Sequence, residues 1–205
     1  MLLPLLKDTV IQLENGFISI KPDRKKLLES LTAFIEKRRE LQQPINLNFI
    51  CTHNSRRSHI AQLWAQAAAH YYKIDDVICL SGGTEATAFN PRAVKAMMDV
   101  GFKIDKAKEG DNPVYHVFYS DDQSPIVAFS KKYDDVFNSC KDFAAIMTCS
   151  LADENCPIVS GASARIAITY NDPKEFDGTE LEELKYHERV LEIGREMLYA
   201  FSKVK

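Results

Sequence analysis

The chain of 205 residues lacks the features that would place it in several broad classes of protein. It has no run of about 18 apolar residues, the length that a membrane-spanning helix requires, so we expect no membrane span. The apolar N-terminus stops at Lys7 and Asp8, with no basic leader and no small-residue cleavage site, so nothing predicts export. The net charge is −3 and acidic residues flank the basic stretches, which leaves no broad basic face for nucleic acid. A globular cytoplasmic protein is expected.

Cysteine is scarce, and its number is odd. Five cysteines in a chain of this length favour reduced cytosolic thiols over a disulfide framework. No paired C-x2-C spacing occurs and the histidines show no metal spacing, so we predict neither a zinc site nor another bound metal. We also predict no bound cofactor. Cys79 and Cys140 are interpreted as incidental residues of the core or of a loop.

The hydrophobic pattern divides the chain into two parts. Residues 1–44 are predicted to form a helical N-terminal extension, because Leu27, Leu28, Leu31, Phe34 and Ile35 have helical spacing. Its apolar face either packs on the following domain or serves a partner or a second copy, so the oligomeric state stays open. Residues 45–205 are predicted to form the main domain. Hydrophobic residues make up 45% of the whole chain, which is enough for a sizeable core.

Strand and helix patterns alternate from residue 45 onwards, which favours a parallel sheet covered by helices on both faces. Residues 81–84 (SGGT) are expected to form a turn close to the preceding loop. An inserted β-hairpin is expected over residues 114–130. The predicted core strands are residues 45–50, 76–80, 142–148 and 164–170, and the predicted helices are residues 58–72, 91–101 and from about 179 onwards.

The most informative segment is residues 51–58 (CTHNSRRS), which lies between a predicted buried strand and a predicted helix. Five residues between Cys51 and Arg57 allow the loop to curl with its backbone N–H groups inward, and the helix start adds partial positive charge. A thiol in such a place loses its proton readily. Arg57 offers a planar fork of donors for two oxygens of phosphate or arsenate. The bland alternative is a buried strand-end cysteine followed by a solvated arginine.

Two further segments follow predicted strands and are expected at the same edge of the sheet, where ligands bind in open parallel sheets. Cys149 follows the third core strand, and Asp172 follows the fourth. The alternatives are that Cys149 is a core residue and that Asp172 is a turn residue before Pro173. If all three segments converge, the loop gains a second thiol and a carboxyl group.

These segments together resemble the low-molecular-weight protein tyrosine phosphatase superfamily, and within it the thioredoxin-coupled arsenate reductases. The resemblance covers roughly residues 45–205 and is carried by residues 51–58 (CTHNSRRS), 81–86 (SGGTEA), 90–97 (NPRAVKAM), 149–157 (CSLADENCP) and 171–173 (NDP). It implies an α/β fold, a four-stranded parallel sheet flanked by helices.

The resemblance also implies a role for each candidate residue. Cys51 is the expected nucleophile, Arg57 the oxyanion clamp and Asp172 the general acid for the leaving oxygen. Cys149 and Cys156 are the expected pair that relays electrons, with thioredoxin as the external reductant. The residues expected around the oxyanion are Thr52, His53, Asn54, Ser55, Arg56, Arg57 and Ser58.

Three functions remain open from the sequence. The leading hypothesis is an enzyme that reduces arsenate to arsenite through Cys51 and a Cys149–Cys156 disulfide. The second is a low-molecular-weight phosphatase acting on phosphotyrosine or a small phosphoester, which needs only Cys51, Arg57 and Asp172. Lys174 and Glu175 stand where tyrosine phosphatases usually have tyrosines. The third is an oxyanion-binding module without turnover.

Two residues of the loop depart from the reductase pattern. His53 stands where the reductases usually have glycine; histidine can adopt an unusual backbone conformation more easily than most residues, and its bulk is expected to narrow the pocket. Arg56 stands where relatives usually have cysteine or another uncharged residue, and we expect its charge at the rim of the site.

Overall fold

Two β-sheets and six helices make up the protein in its computed structural model, which describes residues 1–139, 141–155 and 158–205. The helices are α1 (Pro4–Asn15), α2 (Pro22–Glu40), α3 (Arg57–Tyr71), α4 (Pro91–Asp99), α5 (Ser150–Asn155) and α6 (Glu182–Ser202). The strands are β1 (Ile45–Cys51), β2 (Val77–Gly83), β3 (Lys103–Lys108), β4 (Val114–Phe118), β5 (Ile126–Ala128), β6 (Phe143–Met147) and β7 (Ala162–Ala167).

The larger sheet has the strand order β2-β1-β6-β7, and every neighbouring pair in it is parallel. All residues of β1 are buried, as expected for a strand covered on both faces. Side chains of β6 alternate between two apolar clusters: Ala144 and Ile146 join the main core, while Ala145 and Met147 join a smaller one. The four-stranded parallel sheet flanked by helices is therefore confirmed.

The smaller sheet is antiparallel and has the order β3-β4-β5. Its last two strands are the predicted hairpin. The first, Lys103–Lys108, was not predicted, because most of its residues are exposed and only Ile104 is buried. The expected turn at residues 81–84 also begins later than predicted, since β2 continues through Gly83 and pairs it with Cys51.

The N-terminal helices lie in the same core as the larger sheet. Leu6 and Val10 of α1, and Leu28 and Leu31 of α2, have no solvent exposure. Arg24 Nε on α2 donates to Glu196 Oε1 on α6 at 2.9 Å. The predicted apolar face of α2 thus packs on the rest of the chain, whereas α1 was missed as a separate helix. No helix among the described residues is both long and apolar enough to cross a membrane.

Candidate active site

The loop between β1 and α3 is fixed through its backbone carbonyl groups. The carbonyl of Cys51 accepts from Thr84 N at 3.1 Å, and that of Thr52 accepts from Glu85 N at 2.8 Å. The carbonyl of Ser55 accepts from Asn90 N at 2.9 Å. In a trans peptide unit the C=O and the following N–H point in opposite directions. The N–H groups that follow these carbonyls are therefore turned away from the surrounding structure.

Asn54 supplies the unusual backbone conformation of this loop, with φ of +43°. Its side chain is fully buried, its Nδ2 donates to Ser58 Oγ at 2.9 Å, and its Oδ1 accepts from Lys131 N at 2.9 Å. Asparagine tolerates the left-handed region better than most residues, because its short amide side chain can form hydrogen bonds with nearby groups. His53, the neighbouring residue that could also adopt such a conformation, has no positive φ.

Cys51 ends its strand almost completely buried, at 3% exposure, and its Sγ lies 3.1 Å from Ser58 Oγ. Because Ser58 Oγ already accepts from Asn54, its own proton is free to be donated to a thiolate. Helix α3 begins at Arg57, and the side chain before it makes no capping hydrogen bond. Its first-turn N–H groups and partial positive charge therefore remain available beside the sulfur.

Arg57 and Asp172 meet at the mouth of the loop. Arg57 Nη2 donates to Asp172 Oδ2 at 2.6 Å, and Nη1 donates to the carbonyl of Tyr170 at 2.9 Å. The Arg57 Nε–H is buried and has no hydrogen-bond partner among the described residues. Asp172 Oδ1 accepts from Lys174 N at 3.1 Å, which caps the 3₁₀ turn Pro173–Phe176. The loop after β7 thus brings a carboxyl group onto the arginine, as the sequence predicted.

An open cleft of about 650 Å³ leads to this pair. Arg57 and Asp172 line it together with Lys174 and Glu175, which extend from the same segment as Asp172. The two latter side chains are exposed, so the wall carries charges where an aromatic groove would need rings.

Cys149 lies beside the loop, as the order of strands predicted. It is 1% exposed, shares the smaller apolar cluster with Cys51, and has its Sγ 3.4 Å from Thr52 Oγ1. The N–H of Ala152 also donates to this sulfur at 3.4 Å. Cys51, Cys79 and Cys149 are free thiols. Cys156, its neighbour Pro157 and Cys140 lie outside the described residues, so the predicted Cys149–Cys156 pair stays a prediction.

Sequence reasoning missed the segment that supports the loop from behind. Ser130 Oγ donates to the carbonyl of His53 at 2.9 Å, and the buried Lys131 bonds Asn54 through its backbone N–H. The only sequence signal was their place at the end of the predicted hairpin, which closes at Ser130. His59 on α3 is fully buried and stacks on Phe89 at 4.1 Å, and this burial, together with nearby Lys131, holds the pKa of His59 well below its usual value.

Arg56 was expected at the rim of the site, but its side chain is largely buried, with 11% exposure. The guanidinium turns towards the segment that carries Asp172, where Arg56 Nη1 lies 3.8 Å from Asp172 Oδ1. This orientation was not predictable from local sequence, because the partners of Arg56 are more than a hundred residues away.

The chain is similar in sequence to known enzymes over most of its length, although no protein-family model matches it. The arsenate reductase of Bacillus subtilis (strain 168) is 31% identical over 150 residues, which cover 73% of this chain and 89% of that protein. The arsenate reductase of Shouchella clausii is 31% identical over 147 residues, which cover 71% and 87%. A YwlE mutant from Bacillus subtilis has a solved structure that covers 78% of this chain and 97% of its own, with a TM-score of 0.50 and 14% identity, so the fold is shared. The chain therefore belongs to the arsenate reductase family and has the low-molecular-weight phosphatase fold.

Proposed function

We propose that the protein reduces arsenate to arsenite, with Cys51 as the nucleophile and Cys149 and Cys156 as the thiols that supply electrons. The observation that carries this proposal is the second buried thiol at the loop, since Cys149 Sγ lies 3.4 Å from Thr52 Oγ1. Hydrolysis of a phosphoester has no use for such a thiol, whereas reduction requires two electrons from sulfur.

In the first step, the Cys51 thiolate attacks arsenic and an arsenic–oxygen bond breaks. Asp172 gives its proton to the departing oxygen, which leaves as water, and Arg57 binds the remaining oxygens. The Ser58 hydroxyl, 3.1 Å from Cys51 Sγ, supports this role, because it can donate a hydrogen bond to the thiolate.

In the second step, the Cys149 thiolate attacks Cys51 Sγ, and the electron pair of the sulfur–arsenic bond passes to arsenic. Arsenite leaves, and a Cys51–Cys149 disulfide remains. Cys156 then attacks Cys149, which releases the Cys51 thiolate and forms a Cys149–Cys156 disulfide. We propose thioredoxin as the dithiol that reduces this pair, in the cytoplasm, where such thiols stay reduced.

A low-molecular-weight phosphatase is the second candidate function. Cys51, Arg57 and Asp172 alone support it, because water can hydrolyse a phosphocysteine once an acid and an oxyanion clamp are in place. The charged wall formed by Lys174 and Glu175 argues against an aromatic substrate.

The test combines arsenate reduction, driven by thioredoxin, thioredoxin reductase and NADPH, with hydrolysis of an aryl phosphate. We expect Cys51→Ser to abolish both reactions. Cys156→Ser is expected to abolish thioredoxin-linked turnover and to spare any hydrolysis, and Cys79→Ala, which alters a buried thiol outside the site, serves as the control. Disulfides are mapped by mass spectrometry after exposure to arsenate.

Each outcome decides between the candidates. Absence of a Cys149–Cys156 disulfide after arsenate exposure contradicts the relay. Efficient hydrolysis without arsenate reduction identifies a phosphatase. Binding of phosphate or arsenate without either turnover leaves an oxyanion-binding module.

A further inference from the structure

Arg56 is the residue of the loop whose position the proposed reaction does not explain. Its guanidinium is held by three groups of the segment that follows β7: Arg56 Nε donates to Tyr186 Oη at 2.8 Å, Nη1 lies 3.8 Å from Asp172 Oδ1, and Nη2 lies 3.7 Å from Asp177 Oδ2. All three nitrogen atoms of the guanidinium therefore face acceptors of the protein. Arg56 Nε is occupied by Tyr186, whereas the buried Nε of Arg57 has no hydrogen-bond partner among the described residues.

Tyr186 connects Arg56 to Asp177 through a directed chain of hydrogen bonds. Its side chain is 1% exposed on α6, and its hydroxyl accepts from Arg56 and donates to Asp177 Oδ1 at 2.7 Å. Burial and the bond to Asp177 raise the pKa of Tyr186 to about 12, so the phenol keeps its proton at neutral pH. Charge-assisted bonds of this kind are stronger than neutral ones.

Two further contacts anchor the far side of the same segment. Arg92 on α4 lies 2.7 Å from Glu182 Oε2 through Nε and 3.8 Å from Asp177 Oδ2 through Nη1. The backbone N–H of Gly178 donates to Glu182 Oε2 at 2.6 Å. Residues 172–182 are thus tied to the oxyanion loop, α4 and α6, and within that loop Arg56 contacts both Asp172 and Asp177 whereas Arg57 contacts Asp172.

Asp172 is shared between the two neighbouring arginines, at 2.6 Å from Arg57 and 3.8 Å from Arg56. When Arg57 turns its fork to an oxyanion, it gives up donors that now hold Asp172. We propose that Arg56 is a positioning residue, which keeps Asp172 over the loop at that moment by holding its segment through Tyr186 and Asp177. This role deepens the proposed function and rests on Asp172 as the acid.

The role predicts that loss of Arg56 slows the chemical step without weakening the binding of the anion. We expect Arg56→Gln to lower the single-turnover rate of arsenite formation at saturating arsenate by about a hundredfold, the scale expected for a misplaced acid. Tyr186→Phe, which removes one hydroxyl and no charge, is expected to lower it by about tenfold, and the double variant should fall no further than Arg56→Gln. The affinity for inorganic phosphate, measured by calorimetry in a Cys51→Ser background, should change by less than about twofold.

Hydrogen exchange supplies a readout that needs no turnover. Arg56→Gln and Tyr186→Phe should speed amide exchange over residues 172–182, whereas Arg38→Gln and Tyr72→Phe, which lie outside the network, should not. If the wild-type protein does not reduce arsenate, hydrolysis of an aryl phosphate at saturation replaces the rate measurement. Absence of arsenate reduction by the wild type then contradicts the reductase function, whereas an unchanged rate in the variants contradicts the positioning role.

Three results would overturn the inference. A phosphate affinity that falls with Arg56→Gln would make Arg56 an anion-binding residue. An unchanged rate would leave it without a role in the reaction. Equal exchange in the variants and the controls would show that the segment does not depend on Arg56.

Discussion

The side chains behind the oxyanion loop explain why particular residue types stand in it. A left-handed residue is needed between Thr52 and Ser55, and asparagine meets that need while also bonding Ser58 and the backbone of Lys131. Both Asn54 and His53 tolerate positive φ, so the residue types alone did not decide between them. The decisive partner, Lys131, is separated from the loop by 77 residues. The catalytic residue types were predictable from their spacing in the loop, but the hydrogen bond from Lys131 was not.

Lys131 is a buried lysine, which is unusual because lysine side chains are mostly exposed. It is 2% exposed, its Nζ donates to the carbonyl of Phe129 at 3.3 Å, and it lies 4.6 Å from the Phe129 ring centre. Burial lowers the pKa of Lys131 to about 8, and the nearby Asp135 opposes that shift only in part. The attraction between the ammonium cation and the aromatic face offsets part of the hydration free energy that burial removes.

Lys131 therefore predicts a pH dependence of stability. Between pH 8 and 10.5 the unfolded amine still binds a proton that the folded one has released, so raising the pH across this window favours the folded state. We expect the unfolding free energy of the wild type to rise there relative to Lys131→Met, by at most about 3.5 kcal/mol at roughly 1.4 kcal/mol per pKa unit. Urea titrations over this pH range measure it. Lys7→Met, an exposed change, should keep the wild-type slope, and parallel curves for Lys131→Met would contradict the assignment.

At the scale of elements, the end of β2 sets how closely two backbones approach. A Cβ built at Gly83 would lie 2.6 Å from both Asn54 N and Thr52 O, inside the loop that holds Cys51. Only glycine fits there without displacing the loop. The sequence predicted this close approach from its glycine pair, although it placed a turn where the strand continues.

Gly83→Ala is accordingly expected to damage the site as well as the fold. Overpacking of this kind costs about 1–3 kcal/mol of stability, and the displaced loop should bind phosphate about tenfold more weakly. Calorimetry with phosphate and thermal unfolding measure the two effects. The matched control is Gly110→Ala, where φ is +132° and no atom lies within 4 Å. That change should lower stability by backbone strain alone, and an equal loss of phosphate affinity there would contradict the loop argument.

Two elements that sequence reasoning missed differ in the signal that they carried. Strand β3 (KIDKAK) has one buried side chain, so it lacks the alternation that marks a half-buried strand. Helix α1 did carry a signal, since its buried residues include Leu6, Val10 and Leu13 at helical spacing. Strand β1 and helix α3 were predicted well because their burial is nearly complete. Prediction therefore succeeded where burial is nearly complete, failed at the exposed strand β3 for lack of a pattern, and overlooked the pattern that α1 does carry.

At the scale of the whole molecule, residues 1–44 and the rest of the chain share one core. Leu31 of α2 has no exposure, and Thr32 beside it donates to the carbonyl of Ala200 on α6 at 2.9 Å. Trp64 of α3, the single tryptophan, packs on the same helix, where a Cβ at Gly194 would lie 2.6 Å from its ring. Packing of this kind joins α2, α3 and α6 into one layer. The sequence predicted two parts, and the shared core predicts that they unfold together.

Leu31→Ala tests that prediction. A buried leucine truncated to alanine costs about 2–5 kcal/mol, and in one cooperative unit this loss lowers the midpoint of every probe equally. We expect Trp64 fluorescence and far-ultraviolet circular dichroism to give coincident denaturant transitions in the wild type, and both to shift together in Leu31→Ala. Leu27→Ala, on the same helix but 43% exposed, should shift neither by more than a small fraction of that amount.

If residues 1–44 instead form an independent extension, Leu31→Ala would alter part of the dichroism signal and leave the Trp64 transition in place. Coincident shifts would make the N-terminal helices a structural part of the enzyme, because the sheet that ends in Cys51 would then depend on them for its stability.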